Sequence, residues 1–322
     1  MHMSHARPST PGRYSYSSVP IGLTGRVREA HQLYRMWQYG TLERVGSTLD
    51  AVQQCERRLK ERFDQRLEGL DVLDVGPGQQ LRHMKVMSVK NHVVGIDMDI
   101  VPQGLHLGDY FNMLRYNSLL RTVKTVTRKA LGWDGRFEKR LARDLSVSRF
   151  RRLPVYRMNA ARMDFPKSSF DLVCSWSAFE HIDMPREALS EVARVLRPGG
   201  VAYLAIHLYT SHSGNHDPRT LTKDGVAPPY WPHLRACYRE EERPSCYVNE
   251  LRMHEWKQLF EEVMPGASFI HERQEELLPH LRDLQRRGEL GKYSEDELLT
   301  VGLVALWQKP RKGWPLRVTR GG

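Results

Sequence analysis

The sequence predicts an α/β protein built on a doubly wound, mostly parallel sheet, and three observations carry that prediction. In LDVLDVGPGQQ (residues 70–80), Val72, Leu73 and Val75 form a short, β-branched-rich apolar run of the kind buried in parallel sheets. Gly76, Pro77 and Gly78 break the run, and Leu81, Met84 and Met87 then recur at helical spacing. About twenty residues on, HVVGIDMD reads as a second buried strand with Asp97 at its carboxyl end. Further along, strands over 171–176 and 201–206 flank a helix over 186–196.

Strand, glycine turn and helix form a ligand site at the carboxyl end of the strand, because glycine lets the backbone approach the ligand. A dinucleotide fingerprint needs a third glycine, and its position holds Leu81, which argues against NAD or FAD. One short glycine turn with one acidic residue able to accept hydrogen bonds from both hydroxyls of a ribose suggests a nucleoside-type cofactor. The plain alternative is an ordinary α/β turn with a surface Asp.

At 322 residues the chain suits one large domain or a domain with an insert. No long uncharged apolar run is present, so no transmembrane helix is expected. The first 25 residues read as a disordered tail without a secretory signal, and 310–322 as a basic tail. Cys55, Cys174, Cys237 and Cys246 lack metal-site spacing, which fits reduced thiols in a cytoplasmic protein. The net charge of +11 is concentrated: residues 115–152 hold twelve Lys or Arg against three acids. That segment suits an anionic partner such as a phosphate-bearing substrate, the inner face of a membrane or a nucleic acid, or else it is a solvated face.

In chain order, a short helix is expected over 26–40 on Val27, Ala30, Tyr34 and Trp37. A longer one follows Thr48, with Leu49, Val52, Cys55, Leu59, Phe63 and Leu67 on one face. Within a helical insert over 101–153, Leu119, Leu120, Val123, Val126 and Leu131 make an apolar stripe among Arg121, Lys124, Arg128 and Lys129. Such a basic amphipathic helix either covers a core, here as a substrate lid, or lies on an anionic membrane; the lid is the favoured reading. The strand over 155–158 is short. Residues 207–247 form a substrate loop rich in Gly, Pro and Ser, with His207, His212, His216, Asp217 and His233. Their spacing has no metal-site logic, so general-base and hydrogen-bonding roles are expected and no metal. Tyr230 and Trp231 offer stacking faces, with Arg235 beside them. A helix on Trp256, Phe260 and Val263, a strand from Ser268, surface helices over 274–298 and a strand from Val301 to Trp307 complete the sheet.

RMNAARMDFPKSSFDLVCSWSAFEHI (157–182) and ALSEVARVLRPGGVAYLAIH (188–207), together with the glycine turn, resemble the class I S-adenosylmethionine-dependent methyltransferases. The turn, the acidic ribose residue, the NA pair, the SFDLV strand, the EHI turn and RVLRPGG come in that family's order over residues 70–207. The resemblance implies a seven-stranded Rossmann-like methyltransferase domain over 26–309, with the strand at 301–307 antiparallel. It implies S-adenosylmethionine held by Asp74, Gly76, Pro77, Gly78, Asp97, Met98, Asn159, Ala160, Ser175 and Trp176. Asn159 stands where many members carry Asp to bind the adenine amino group. His181 and His216 are the candidate bases, and His212, Asp217, Tyr230, Trp231, His233 and Arg235 the candidate acceptor-binding residues. The loop and basic insert look like those of methyltransferases in bacterial glycan and glycolipid pathways, which implies O-methylation of a saccharide or glycolipid. Another lipid or small metabolite, or an RNA-binding relative, are the alternatives, although no RNA module or stacking aromatics accompany the basic run.

Overall fold

The computed structural model describes residues 41–104, 107–117, 119–217, 229–241 and 246–311. The expected N-terminal tail, the helix over 26–40, part of the substrate loop and residues 312–322 lie outside them.

Seven strands form one sheet: β1 (Asp71–Val75), β2 (His92–Asp97), β3 (Val155–Arg157), β4 (Phe170–Trp176), β5 (Leu196–His207), β6 (Ser268–Arg273) and β7 (Thr300–Gln308). Their order is β3-β2-β1-β4-β5-β7-β6. The first five pair in parallel, while β7 runs antiparallel between β5 and β6, as expected of the strand at 301–307. The order reverses between β1 and β4, which splays the connections apart and opens a crevice beyond their carboxyl ends.

Strand alternation decides the two faces. Leu73 and Val75 pack with α6 (Pro185–Val195) and α7 (Met253–Val263) through Leu189, Val192, Trp256 and Phe260. Val72, one step out of phase, packs on the other side with α1 (Thr41–Phe63) and α2 (Arg82–Met87) through Cys55, Leu59, Met84 and Met87. Each such aliphatic side chain contributes about 1.5–3 kcal/mol by leaving water. Gly95 of β2 is required by this packing, since a Cβ there would lie 3.0 Å from Pro77 Cγ and 3.1 Å from Met84 Sδ.

Two local expectations need correction. The strand expected over 201–206 starts earlier, at Leu196, and Pro198, Gly199 and Gly200 lie inside it as a bulge opposite Phe170 and Leu172. A Cβ on Gly200 would meet three carbonyl oxygens at 3.0–3.1 Å, and Gly199 takes a φ of +86°. Arg197 ties the bulge down by donating to Asp171 at 2.7 Å and Asp71 at 2.8 Å.

The insert holds three helices where one was expected: α3 (Leu107–Tyr116), α4 (Leu119–Ala130) and α5 (Trp133–Asp144). It is α5 that covers the body, packing Phe137 and Leu141 against Val45 of α1. The stripe on α4 faces outward, with Leu119, Val123 and Val126 at 69%, 52% and 44% exposure. Arg128 and Lys129 turn inward to Asp134, at 2.7 and 3.8 Å, so neither is offered to a surface. The side chains of Leu120, Arg121 and Lys124 lie outside the described set. Beyond the loop, α8 (Leu278–Arg286) and α9 (Glu295–Leu299) bury Trp231 in a satellite core. No helix among the described residues is long and apolar enough to cross a membrane.

Candidate active site

The crevice has two halves. On the β1–β2 side, Gly76 takes a φ of +73° and donates its backbone N–H to Ile96 O at 2.8 Å, turning the chain sharply off β1. A Cβ at Gly76 would fall 2.4 Å from that of Ala178, so glycine alone fits. Gly78, at φ +68°, has open space around it. Asp97 ends β2, and its carboxylate accepts from the N–H of Asp99 at 2.9 Å, which fixes the side chain at the strand's tip. Met98 beside it is exposed. Asn159 is exposed and accepts from Ala161 N at 2.8 Å, an Asx turn that buries Ala160.

Asp74 is the unusual group of this half. It is buried, neither carboxylate oxygen has a hydrogen bond, and burial together with nearby Asp97 pushes its pKa up to about 8. Ser175 is buried and donates to Val75 O at 2.8 Å, latching β4 to the end of β1. Trp176 stacks on His83 at 4.4 Å, and burial holds that imidazole neutral, down to about 3.

On the β4–β5 side, the turn Phe179–His181 follows β4 and carries Glu180 and His181. His207 ends β5, and His216 comes from the turn after it. The His181 and His216 rings are 4.7 Å apart, as are those of His207 and His216. His181 Nε2 and His216 Nε2 each lie 4.0 Å from Glu180 Oε1. Tyr247 O is 2.7 Å from His181 Nδ1, and since a carbonyl only accepts, the proton sits on Nδ1 and the lone pair on Nε2. Burial drives His207 down to about 4 and His216 to about 3, each helped by neighbouring imidazoles, so both are neutral near pH 7. Glu180 is pushed the other way, to about 8, chiefly by burial.

Residues not singled out in the sequence hold this half in place. Asn249 donates its side-chain amide to Phe179 O and Ile182 O, at 2.9 and 3.1 Å, and its backbone N–H to Glu180 O at 2.8 Å. Gly214 lets the turn carrying His216 close, since a Cβ there would lie 2.0 Å from Tyr209 O. An isolated Asn in a loop carries no signal in the sequence; the glycine before His216 is the nearest thing to one.

The six expected acceptor residues fare unevenly. Asp217 is buried, with its backbone N–H on Asn215 Oδ1, close to the cluster in the chain. His233, also buried, contacts Tyr209 O at 2.7 Å. Trp231 presents no stacking face: it is fully buried against Leu281 and Leu299, and this corrects its expected role. Its backbone N–H donates to His212 Nδ1 at 3.2 Å, which draws His212 into the same cluster. Tyr230 stacks on His280 at 4.1 Å. Arg235 is spent on Glu289, through contacts of 2.5 and 3.0 Å. These four brace the loop against α8 and α9.

Fold and site together give a doubly wound α/β protein with a glycine turn and Asp97 on one side of its switch point and histidines gathered around Glu180 on the other. Residues 125–204 match a family model described as a methyltransferase domain. No curated protein matches the chain. Among solved structures, YcgJ protein from Bacillus subtilis is 17% identical over 81% of this chain and 100% of that one, at a TM-score of 0.40. Haemonchus contortus phosphoethanolamine N-methyltransferase 2, in complex with S-adenosyl-L-methionine, is 16% identical over 80% of this chain and 53% of that one, at 0.43. The [4+2]-cyclase SpnF is 15% identical over 81% and 82%, at 0.40. At such TM-scores none of these likenesses bears on what this chain acts upon. The methyltransferase-domain match, over about a quarter of the chain, supports S-adenosylmethionine-dependent methyl transfer. The cofactor suits the residues present: a cationic ligand answers the partnerless buried carboxylate of Asp74, and the glycine turn leaves its backbone open.

Proposed function

We propose that this enzyme is an O-methyltransferase whose acceptor is a saccharide or glycolipid hydroxyl. The convergence of His181, His207 and His216 on Glu180 at the carboxyl end of β4 and β5 carries the reading. An attacking hydroxyl must lose its proton as its oxygen bonds to carbon, so a positioned base lowers the barrier. A neutral imidazole with its lone pair fixed on Nε2 is such a base, and His181 takes this role. His216 orients the hydroxyl, and buried Asp217 lies next to it in the chain.

On the other side, Asp97 holds the ribose hydroxyls, with Met98 beside it. Gly76, Pro77 and Gly78 cradle the methionine portion, with Asp74 beside it. Asn159 and Ala160 line the adenine end, while Ser175 and Trp176 close the floor near the sulfur. When bound, the cofactor supplies a methyl group on positively charged sulfur. The chain's contribution is to hold the acceptor oxygen at near-attack distance in a dry pocket, which can remove about 7–11 kcal/mol of the barrier.

The insert supports a lipid-linked acceptor. Phe111 and Leu114 of α3 are uncovered, as are Leu119, Val123 and Val126 of α4, the last three within the most basic part of the chain. Such a face suits peripheral contact with an anionic membrane, on its cytoplasmic side. Radiolabelled-methyl transfer to saccharides, glycolipids, hydroxyl-free lipids and RNA tests the assignment. Label on the first two supports it, and label confined to either of the others rejects it.

A further inference from the structure

We propose that Glu180, His207 and His216 form a divalent-cation site of the zinc type, with His181 alongside. Spacing along the chain hides this set, because its members come from the turn after β4, the end of β5 and the turn that follows. The fold gathers one ligand atom from each to within 4.8 Å of one another. Tetrahedral zinc, with ligands at about 2.0–2.2 Å, needs those atoms roughly 3.4 Å apart. The gaps therefore have to shorten by at most about 1.4 Å, within reach of side-chain rotation.

The state of Glu180 points to a ligand independently of that grouping. Its side chain is 1% exposed, no side chain hydrogen-bonds either carboxylate oxygen, and the backbone N–H groups of Glu180 and His207 are the groups that favour its charged form. Buried polar groups are nearly always satisfied, so one directed into a ring of imidazoles calls for a missing counterpart. A proton on Glu180 would cover the charge but leave the remaining lone pairs unanswered. A divalent ion answers both, and it displaces that proton on binding.

Two further contacts resemble the outer partners of a metal centre. Ser213 Oγ lies 2.9 Å from His207 Nε2, and Tyr247 O fixes the His181 ring. Two imidazoles and one carboxylate leave a coordination position open, the arrangement of catalytic rather than structural zinc. An ion there would hold the acceptor oxygen and make its proton easier to remove, with His181 as the receiving base. The last step rests on the proposed acceptor; the cation site itself does not.

The test uses the full-length chain stripped with a chelator and titrated with cobalt(II), followed by visible absorption and calorimetry. About one equivalent should bind, with ligand-field bands of a four- or five-coordinate ion, and zinc should displace it. Glu180→Gln, which keeps side-chain shape, and His216→Ala should each weaken binding roughly 100-fold or more. Circular dichroism and cofactor affinity should stay unchanged in Glu180→Gln, which separates loss of the site from loss of the fold. Unaltered cobalt binding by Glu180→Gln, or no saturable binding by the wild type, overturns the site. So does a thiolate-to-cobalt band abolished by Cys246→Ser, because His181, His216 and Cys246 form a competing set. Cobalt binding of the expected kind upholds the site even if no saccharide is methylated.

Discussion

Asp74 and Glu180 are buried carboxylates on neighbouring strands of one sheet, one within β1 and one just past the end of β4. Each is 1% exposed, each lacks a side-chain hydrogen-bond partner, and burial lifts each to about 8. Their neighbours differ. Asp74 looks towards another acid, Asp97, while Glu180 looks towards three imidazoles. An acid beside an acid is a site for a ligand that brings positive charge with it. An acid among neutral nitrogen donors is a site for a metal ion. On the proposed reading, the same cost of burial serves cofactor binding in one half of the crevice and acceptor handling in the other. Changes on the β4–β5 side should alter turnover and spare cofactor affinity, and changes on the β1–β2 side should do the reverse.

The largest expected effect is on turnover. His181→Ala should lower it about 10²–10⁴-fold with cofactor affinity unchanged, whereas His216→Ala should mainly raise the acceptor Michaelis constant. Steady-state kinetics with calorimetry read both, and near wild-type values in the two variants would remove the histidines from the reaction.

Next comes the pH dependence of stability set by Asp74. Its folded pKa lies above its unfolded value, so the contribution is complete below 3.8 and is lost as pH rises to about 8. Cys174 also feels this carboxylate and stays protonated throughout the window, because burial raises it further. Urea unfolding of the cofactor-free enzyme should show Asp74→Asn gaining on the wild type from pH 5 to pH 9, by on the order of a few kcal/mol. Parallel pH profiles for the two proteins would mean that Asp74 ionises freely in the fold.

Asp97→Ala should weaken S-adenosylmethionine binding by roughly 1–3 kcal/mol, since the ribose hydroxyls lose a charge-assisted partner. Unchanged affinity in a folded variant would break the assignment of the β1–β2 side to the cofactor. The smallest effect lies outside both halves. Val126→Asn on the exposed face of α4 should change stability by less than about 0.5 kcal/mol. The same change should reduce flotation with anionic vesicles, and undiminished flotation would leave α4 a solvated face.

The sequence by itself determined the strands and the glycine turn of the β1–β2 half of the crevice. Strand, glycine turn, helix and a second strand ending in Asp97 are local patterns, and the parallel crossover brings their ends together wherever they occur. The bulge at Gly199 and Gly200 was visible as a turn, but its place inside β5 depends on the carbonyls of Phe170 and Asp171 across the sheet. Tertiary structure alone decided the rest. The amphipathic stripes of α1 and α4 look alike in sequence, yet only that of α1 is covered, because α5 occupies the surface that α4 would have needed. Trp231 reads as an exposed loop aromatic until α8 and α9 close over it. The meeting of Glu180, His207 and His216 depends on the β4–β5 register, on the room left by Gly214 and on the hold of Asn249. Periodicity reports which face of an element is apolar; what that face meets is fixed by packing between segments far apart in the chain.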